Sequence, residues 1–190
     1  MTTRPTISFS ATAKFENDDG EAVVKYLAPD GTFTESKDAA VKFRLHASAT
    51  MGERTRIEIR KHDLAGGYQD WADLTGAVSR GMMRMAGKLE KLIWPDGKPE
   101  AKGKERMEQI EAIDKAWRES DDIEIENLRG LQILQRRIDF MAAWDVLVVE
   151  APEGWRNLSE RDDGEMVFNA IWRSYDETMG AYEQGKQQPS

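Results

Sequence analysis

The side chains that most often perform catalysis are scarce in this sequence. It contains no cysteine, and its two histidines are His46 and His62. Neither histidine belongs to an H-x-x-x-H or H-E-x-x-H pattern, the spacing that places two metal ligands on one face of a helix. The absence of cysteine excludes disulfides, thiolate zinc sites and a cysteine nucleophile. We therefore expect both histidines to be polar surface residues.

Carboxylates are abundant, and several come in adjacent pairs. The pairs are Asp18 and Asp19, Asp121 and Asp122, and Asp162 and Asp163. Paired acids can bind a divalent cation or transfer protons, but either role needs side chains that converge from several segments. The first pair precedes a glycine, as in a turn, and the other two stand where helices are predicted to begin, near the positive end of the helix dipole. We predict structural roles for all three pairs and no metal site.

Phosphate-binding motifs are missing as well. No glycine-rich segment has the pattern G-x-x-x-x-G-K-[ST], and no G-x-G-x-x-G follows a predicted strand. The sequence offers no set of residues that we can assign as a nucleophile, a base and a group that orients them. The sequence therefore predicts a non-enzymatic protein without catalytic residues or cofactors. A small enzyme with its site among the paired carboxylates is kept as a minor alternative.

The charge of the chain bears on its partners and its location. The 27 Lys and Arg residues against 35 Asp and Glu residues give a net charge of −8. An acidic chain repels phosphate backbones, so we expect no nucleic-acid partner. The first residues lack the apolar run of a signal peptide, and no segment approaches the roughly 18 apolar residues that a membrane span needs. We expect a cytoplasmic protein without a membrane partner.

The elements that must position these residues begin with strands. From Thr6 to Phe15 every second residue is apolar, and residues 22–27 and 41–46 have the composition of further strands. The segment "APDG" at residues 28–31 has the Pro-Asp-Gly chemistry of a chain reversal. These features predict a small N-terminal antiparallel β-meander.

Residues 50–60 support two interpretations. Ile57 and Ile59 stand two residues apart, which favours a strand. Thr50 and Glu53 have the spacing of a capping box, which opens a helix. We favour a strand through residue 60 and keep the helix as the alternative.

From residue 68 onward the apolar period changes from two to about three and a half, as in helices. The first helical stripe carries Trp71, Leu74, Val78, Met82, Met85, Leu89 and Leu92. Met82 and Met85 keep register with the leucines, so we expect both to fill gaps in the core. Met83 falls off the stripe and is a candidate partner-binding residue.

Three further helices follow an exposed connection at residues 94–105. Periodicity marks them at residues 107–117, 125–142 and 164–183. The predicted fold class is α+β, with the meander in a β-rich part at residues 1–64 and a four-helix C-terminal region at residues 68–184. We expect a disordered tail at residues 185–190 and one compact unit.

Three tryptophans near the C-terminal end could belong to a core, a pocket or a docking surface. Trp144 continues the apolar register of the third helix and is predicted to be core. Trp172 lies beside the stripe of the fourth helix. Trp155 follows a loop with proline and glycine, where it is either a plug or an exposed ring that a partner covers. Trp155 and Trp172 therefore join Met83 as candidate partner-binding residues.

The order of these patterns resembles the tail assembly chaperones of long-tailed, siphovirus-type bacteriophages. The segment "LQRRIDFMAAWDVLV" runs into a Pro/Gly loop, and the last helix reads "FNAIWRSYDETM". In that family an element like the one from Ile138 to Trp144 leads through a glycine loop, here Glu150 to Trp155, into a short terminal helix. The similarity covers residues 40–183 in order and pattern.

The resemblance implies a function in virion assembly. Such a protein is non-enzymatic and cytoplasmic, coats the tape-measure protein, keeps its apolar helices in solution and attracts tail-tube subunits. It is absent from the mature virion, and homo-oligomers are compatible with this role. The long strand region before residue 40 and the insertion-like segment "GKPEAKGKE" keep an alternative open. That alternative is a structural virion protein, such as a tail-completion or connector subunit.

Overall fold

A computed structural model describes residues 4–17, 19–161 and 164–187, apart from the side chains of the last two. The strands are β1 (Thr6–Ser10), β2 (Thr12–Glu16), β3 (Ala22–Leu27), β4 (Phe33–Thr34), β5 (Lys42–His46) and β6 (Val148–Glu150). The helices are α1 (Met51–Ala65), α2 (Tyr68–Ile93), α3 (Lys104–Glu119), α4 (Ile123–Leu147) and α5 (Glu165–Gln187). Strands open the chain and helices follow, so the predicted α+β class is confirmed.

The strands form two small antiparallel sheets, whereas the sequence predicted one meander. One sheet has the order β1-β5-β6 and the other has the order β2-β3-β4. The alternating segment from Thr6 to Glu16 serves both sheets, because its pairing changes at Ala11. Ala11 is fully buried, and its carbonyl accepts a hydrogen bond from the Leu27 N–H at 2.9 Å. The predicted single strand is therefore two consecutive strands, one in each sheet.

The chain forms two compact units. The first comprises the described residues up to 61 and from 140 onward, and the second comprises residues 62–139. The predicted parts at residues 1–64 and 68–184 divide the chain differently, because the end of α4 and all of α5 pack with the N-terminal strands. Apolar contacts explain that grouping, since Trp144 and Ile171 belong to the same core cluster as the strand residue Phe43.

Aromatic rings form the centre of the first unit. Trp144 is fully buried, with its ring centroid 5.0 Å from that of Phe43 and 6.2 Å from that of Phe9. Each of these rings buries about 150–250 Å² of surface, which makes aromatic packing a large term in stability. The prediction that Trp144 is core is confirmed.

Residues 51–65 are a helix, so the favoured strand at residues 50–60 is wrong and five α-helices replace the predicted four. The capping box of Thr50 and Glu53 explains why this segment is a helix. The Thr50 N–H donates to a Glu53 carboxylate oxygen at 2.8 Å, and the Glu53 N–H donates to the Thr50 hydroxyl oxygen at 3.3 Å. Two residues span about 200° on a helix, which explains why Ile57 packs against the core while Ile59 is 55% exposed.

The second unit contains α2, α3 and the first part of α4. Its buried cluster consists of Met85, Leu89, Ile125 and Leu128. Met85 fills the core as predicted, whereas Met82 is 40% exposed, which corrects its assignment to the core. Gly81 has a packing role, because a Cβ added there would lie 2.7 Å from a methyl carbon of Leu128. The glycine therefore allows α2 and α4 to approach closely.

The C-terminal helix is longer than predicted. α5 continues through Gln187, so residues 185–187 of the predicted disordered tail are helical, and residues 188–190 lie outside the described residues. Glutamate and glutamine are good helix formers, so the polar composition of this segment does not end the helix. None of the described helices combines the length and the apolar character that crossing a membrane requires.

Candidate functional site

Trp155 is a plug of the first unit. Its side chain is fully buried, and its ring centroid lies 5.7 Å from that of Phe43. Its indole N–H donates to the Pro29 carbonyl at 3.0 Å, and its own carbonyl accepts from the Trp144 indole N–H at 3.0 Å. The Arg161 guanidinium covers the other side, 3.6 Å from the ring centroid. Of the two predicted roles for Trp155, the structure supports the plug, and the ring is not exposed to a partner.

Trp172 borders the same core. It is half-buried on α5, stacked on Phe140 with centroids 6.2 Å apart, and 5.7 Å from the Phe168 ring. Its position beside the helical stripe matches this intermediate burial. Only its outer part is accessible, so Trp172 contributes little free apolar surface.

Met83 has the exposure expected of a partner-binding residue. It is 71% exposed on α2 in the second unit, whereas Trp155 and Trp172 belong to the first. The neighbouring residue, Met82, lines the groove described next.

An apolar groove of about 300 Å³ lies between α2, α3 and α4 in the second unit. Its apolar lining consists of Met82, Ala86 and Leu89 from α2, and Ile110, Ile113 and Trp117 from α3. No residue of α3 is buried, and Met107 and Ile110 on its apolar stripe are 56% and 50% exposed. The stripe of α3 is thus only partly covered by its own chain.

The apolar period of residues 107–117 predicted the helix α3, but it did not show which part of the helix stays uncovered. The available signal is the small number of large apolar residues on this helix. Met107, Ile110, Ile113 and Trp117 are its large apolar side chains within sixteen residues. A helix with so narrow a stripe covers its neighbours incompletely, and the remaining surface becomes a groove.

Polar groups stand at the rim of the groove. Asp114 of α3 forms an exposed ion pair with Arg118, with 2.8 Å between nitrogen and oxygen. Gln132 of α4 donates an amide N–H to the Met82 sulfur at 2.8 Å. Arg136 of α4 also lines the groove, and it has no ion pair within the described ranges. The groove can bind an apolar helix, and its charged rim can orient one.

A partly buried polar cluster in the first unit joins a carboxylate, a hydroxyl and a guanidinium. The Asp145 carboxylate accepts a hydrogen bond from Arg60 Nε at 3.0 Å and another from the Ser159 hydroxyl. Arg60 also donates to Ser159 at 2.6 Å. The cluster ties α1 to α4 and to the 3-10 turn at Leu158–Glu160.

Among the paired carboxylates, Asp122 has a structural role at the start of a helix. Asp122 accepts the Glu124 N–H at 2.9 Å at the start of α4 and contacts Lys88, whose hydrogen bond lowers the pKa of the carboxyl. Asp18, Asp162 and Asp163 lie outside the described residues. Within the described ranges no three His, Asp or Glu side chains are grouped to hold a metal ion.

The histidines are less exposed than predicted. His46, at the end of β5, is half-buried, and its Nδ1 atom is buried without a hydrogen-bond partner among the described residues. His62 is also half-buried, because its ring packs edge-on against Tyr68 with centroids 4.9 Å apart. Packing against neighbouring elements therefore covers both rings.

Comparisons with known proteins do not extend this description. No family model matches the chain, and neither a curated protein nor a solved structure is significantly similar to it.

Proposed function

We propose that this protein is a non-enzymatic tail assembly chaperone of a long-tailed bacteriophage, which binds apolar helical segments of the tape-measure protein. The observation that carries the proposal is the apolar groove between α2, α3 and α4. A groove that helices wall and that Met, Ile and Trp line suits the apolar stripe of another helix. The resemblance of residues 40–183 suggests the class of partner.

The proposed mechanism is shielding. A tape-measure helix in the groove would remove apolar surface from contact with water. This burial would stabilise the complex by about 25 cal/mol per Å². The flexible thioether of Met82 can adapt to different side chains, which suits a partner with many similar helical segments. The net charge of −8 opposes aggregation of the complex. The coated tape-measure protein then recruits tail-tube subunits in the host cytoplasm.

Co-expression tests this function. The protein should raise the soluble yield of a tape-measure protein encoded by the same phage, and the two should purify together. An unchanged yield without co-purification would overturn the proposal.

A matched pair of variants links the effect to the groove. Ile110 lines the groove and is 50% exposed, whereas Ile133 is 55% exposed outside the lining. Ile110→Gln should reduce the rescued yield, and Ile133→Gln should leave it unchanged. Both residues are about half exposed, so neither change removes a large part of the core. Equal effects of the two variants would argue against the groove.

Purified virions separate this proposal from its alternative. A chaperone should be absent from finished particles, since tail-tube subunits must replace it on the surface of the tape-measure protein. Mass spectrometry of purified particles measures this. A constant number of copies per particle would favour a tail-completion or connector subunit instead.

A further inference from the structure

The outer side of β2 is an open strand edge. β2 stands at the end of its sheet and pairs with β3 alone among the described strands. The Ala11 carbonyl accepts the Leu27 N–H from the end of β3. After β2, the Asn17 N–H donates to the Glu21 carbonyl in the same register. Odd-numbered residues of this segment thus direct their backbone groups toward β3, and even-numbered residues direct theirs outward.

The outward backbone groups of β2 are only partly satisfied. The Thr12 N–H donates to the Ser174 hydroxyl oxygen of α5 at 3.0 Å. Lys14 and Glu16 follow at the same phase of the strand, and both are exposed. Within the part of the chain that the structure describes, their outward N–H and C=O groups have no hydrogen-bond partner. Such a row of unpaired groups is a template for another extended chain.

A groove of about 390 Å³ lies between this edge and α5. Residues 12–15 of β2 line one side, and Met166, Asn169 and Arg173 of α5 line the other. Met166 is 55% exposed, so an occupant of the groove would cover apolar surface. The open edge and the groove therefore belong to the same site in the first unit.

The groove has an excess of positive charge. Lys14 lines it from β2 and Arg173 from α5, against one acid, Glu165. Neither cation forms an ion pair with another described residue. This local excess is opposite in sign to the net charge of −8. Charge complementarity therefore favours an acidic occupant.

We infer that the groove between β2 and α5 binds an extended acidic segment of a partner protein, which adds to β2 as a further strand. The segment pairs its backbone with Lys14 and Glu16, and its carboxylates face Lys14 and Arg173. The hydrogen bond between Thr12 and Ser174 closes the edge at one end and limits the pairing to a short segment. A helical occupant cannot satisfy this edge, because a helix pairs its backbone groups internally.

Fluorescence anisotropy with labelled heptapeptides tests the charge of the site. A peptide in which glutamate and valine alternate should bind the wild-type protein, and its glutamine–valine counterpart should bind at least about tenfold more weakly. General attraction does not explain such binding, because a net charge of −8 repels acidic peptides. Arg173→Glu should weaken binding of the acidic peptide at least about tenfold. Arg54→Glu is the matched control, since Arg54 is exposed on α1 of the same unit and lies outside the groove lining.

A second pair of variants tests strand pairing apart from charge. Lys14→Pro removes the outward N–H without removing a bond to β3, and edge strands accept proline at such positions. Lys14→Gln removes the same charge but keeps the N–H. The proline variant should therefore bind the acidic peptide more weakly than the glutamine variant does. If the proline variant does not fold, as judged by circular dichroism, the comparison of Arg173→Glu with Arg54→Glu decides.

The inference is overturned if the wild-type protein does not bind the acidic peptide, or if it binds both peptides equally. Equal effects of Arg173→Glu and Arg54→Glu, or equal binding by folded Lys14→Pro and Lys14→Gln, would also overturn it. Sedimentation equilibrium identifies the competing occupant: a wild-type dimer that Lys14→Pro converts to a monomer would assign the edge to a second copy. These experiments use no phage protein, so their failure is distinct from a failure of the co-expression experiment.

Discussion

The indole of Trp155 closes the core of the first unit from a loop. Its ring fills a fully buried position, and its N–H satisfies the Pro29 carbonyl 126 residues away in the chain. Trp155→Ala should lower the free energy of unfolding by about 3–5 kcal/mol, because it removes buried surface and leaves a cavity. Urea denaturation followed by far-ultraviolet circular dichroism measures the change.

Trp94 provides the comparison at the residue scale. It is only half-buried at the end of α2, so Trp94→Ala should cost clearly less than Trp155→Ala. If the two substitutions had the same small effect, Trp155 would not be a plug.

At the scale of the element, α1 depends on the charge of Glu53. The Arg4 guanidinium, 2.7 Å from one carboxylate oxygen, and the Thr50 N–H lower the pKa of Glu53 from 4.5 to about 2. Because the folded-state pKa is depressed, Glu53 stabilises the protein above pH 4.5, and this contribution is lost as the pH falls to about 2. Glu53→Gln should therefore flatten the dependence of stability on pH in this window.

Acid titration of thermal stability measures that difference. Glu58→Gln is the control, since Glu58 is exposed on the same helix and forms an exposed ion pair with Lys61, three residues away. It should retain the slope of the wild-type protein. A Glu53→Gln variant with the wild-type slope would contradict the assigned role of the capping box.

A side chain of the helix α5 accepts a hydrogen bond from a backbone N–H of the N-terminal strands. Ser174 is 7% exposed, and its hydroxyl oxygen accepts the Thr12 N–H at 3.0 Å. Ser174→Ala should lower the free energy of unfolding by about 1–3 kcal/mol, because a partly buried N–H loses its acceptor. Ser79→Ala, at an exposed position of α2, should have no such cost. Chemical denaturation compares the two, and equal stabilities would contradict the role of Ser174.

At the scale of the whole molecule, net charge controls association. The isoelectric point is about 5.0, so the charge of −8 that separates copies at neutral pH vanishes near that value. Light scattering should reach its maximum near pH 5.0, and Ile110→Gln should reduce it by removing exposed apolar surface. A scattering maximum far from the isoelectric point would show that charge is not the main barrier.

Element types follow from the sequence alone, because the local backbone sets the period of side-chain burial. The alternation from Thr6 to Phe15 and the helical stripes after residue 68 required no long-range information. The same holds for Trp144, which shares the register of α4. The helix at residues 51–65 was also encoded locally, since the capping box of Thr50 and Glu53 is more specific than two isoleucines at a spacing of two.

Tertiary structure decided which apolar surfaces are covered. Trp155 is a plug because Pro29 and Phe43, both distant in sequence, surround it. The narrow stripe of α3 indicates incomplete coverage, but only the packing of α2 and α4 beside it decides where the groove lies. Periodicity shows that a helix has an apolar face, but coverage depends on contacts between segments far apart in the chain, which a local pattern does not encode.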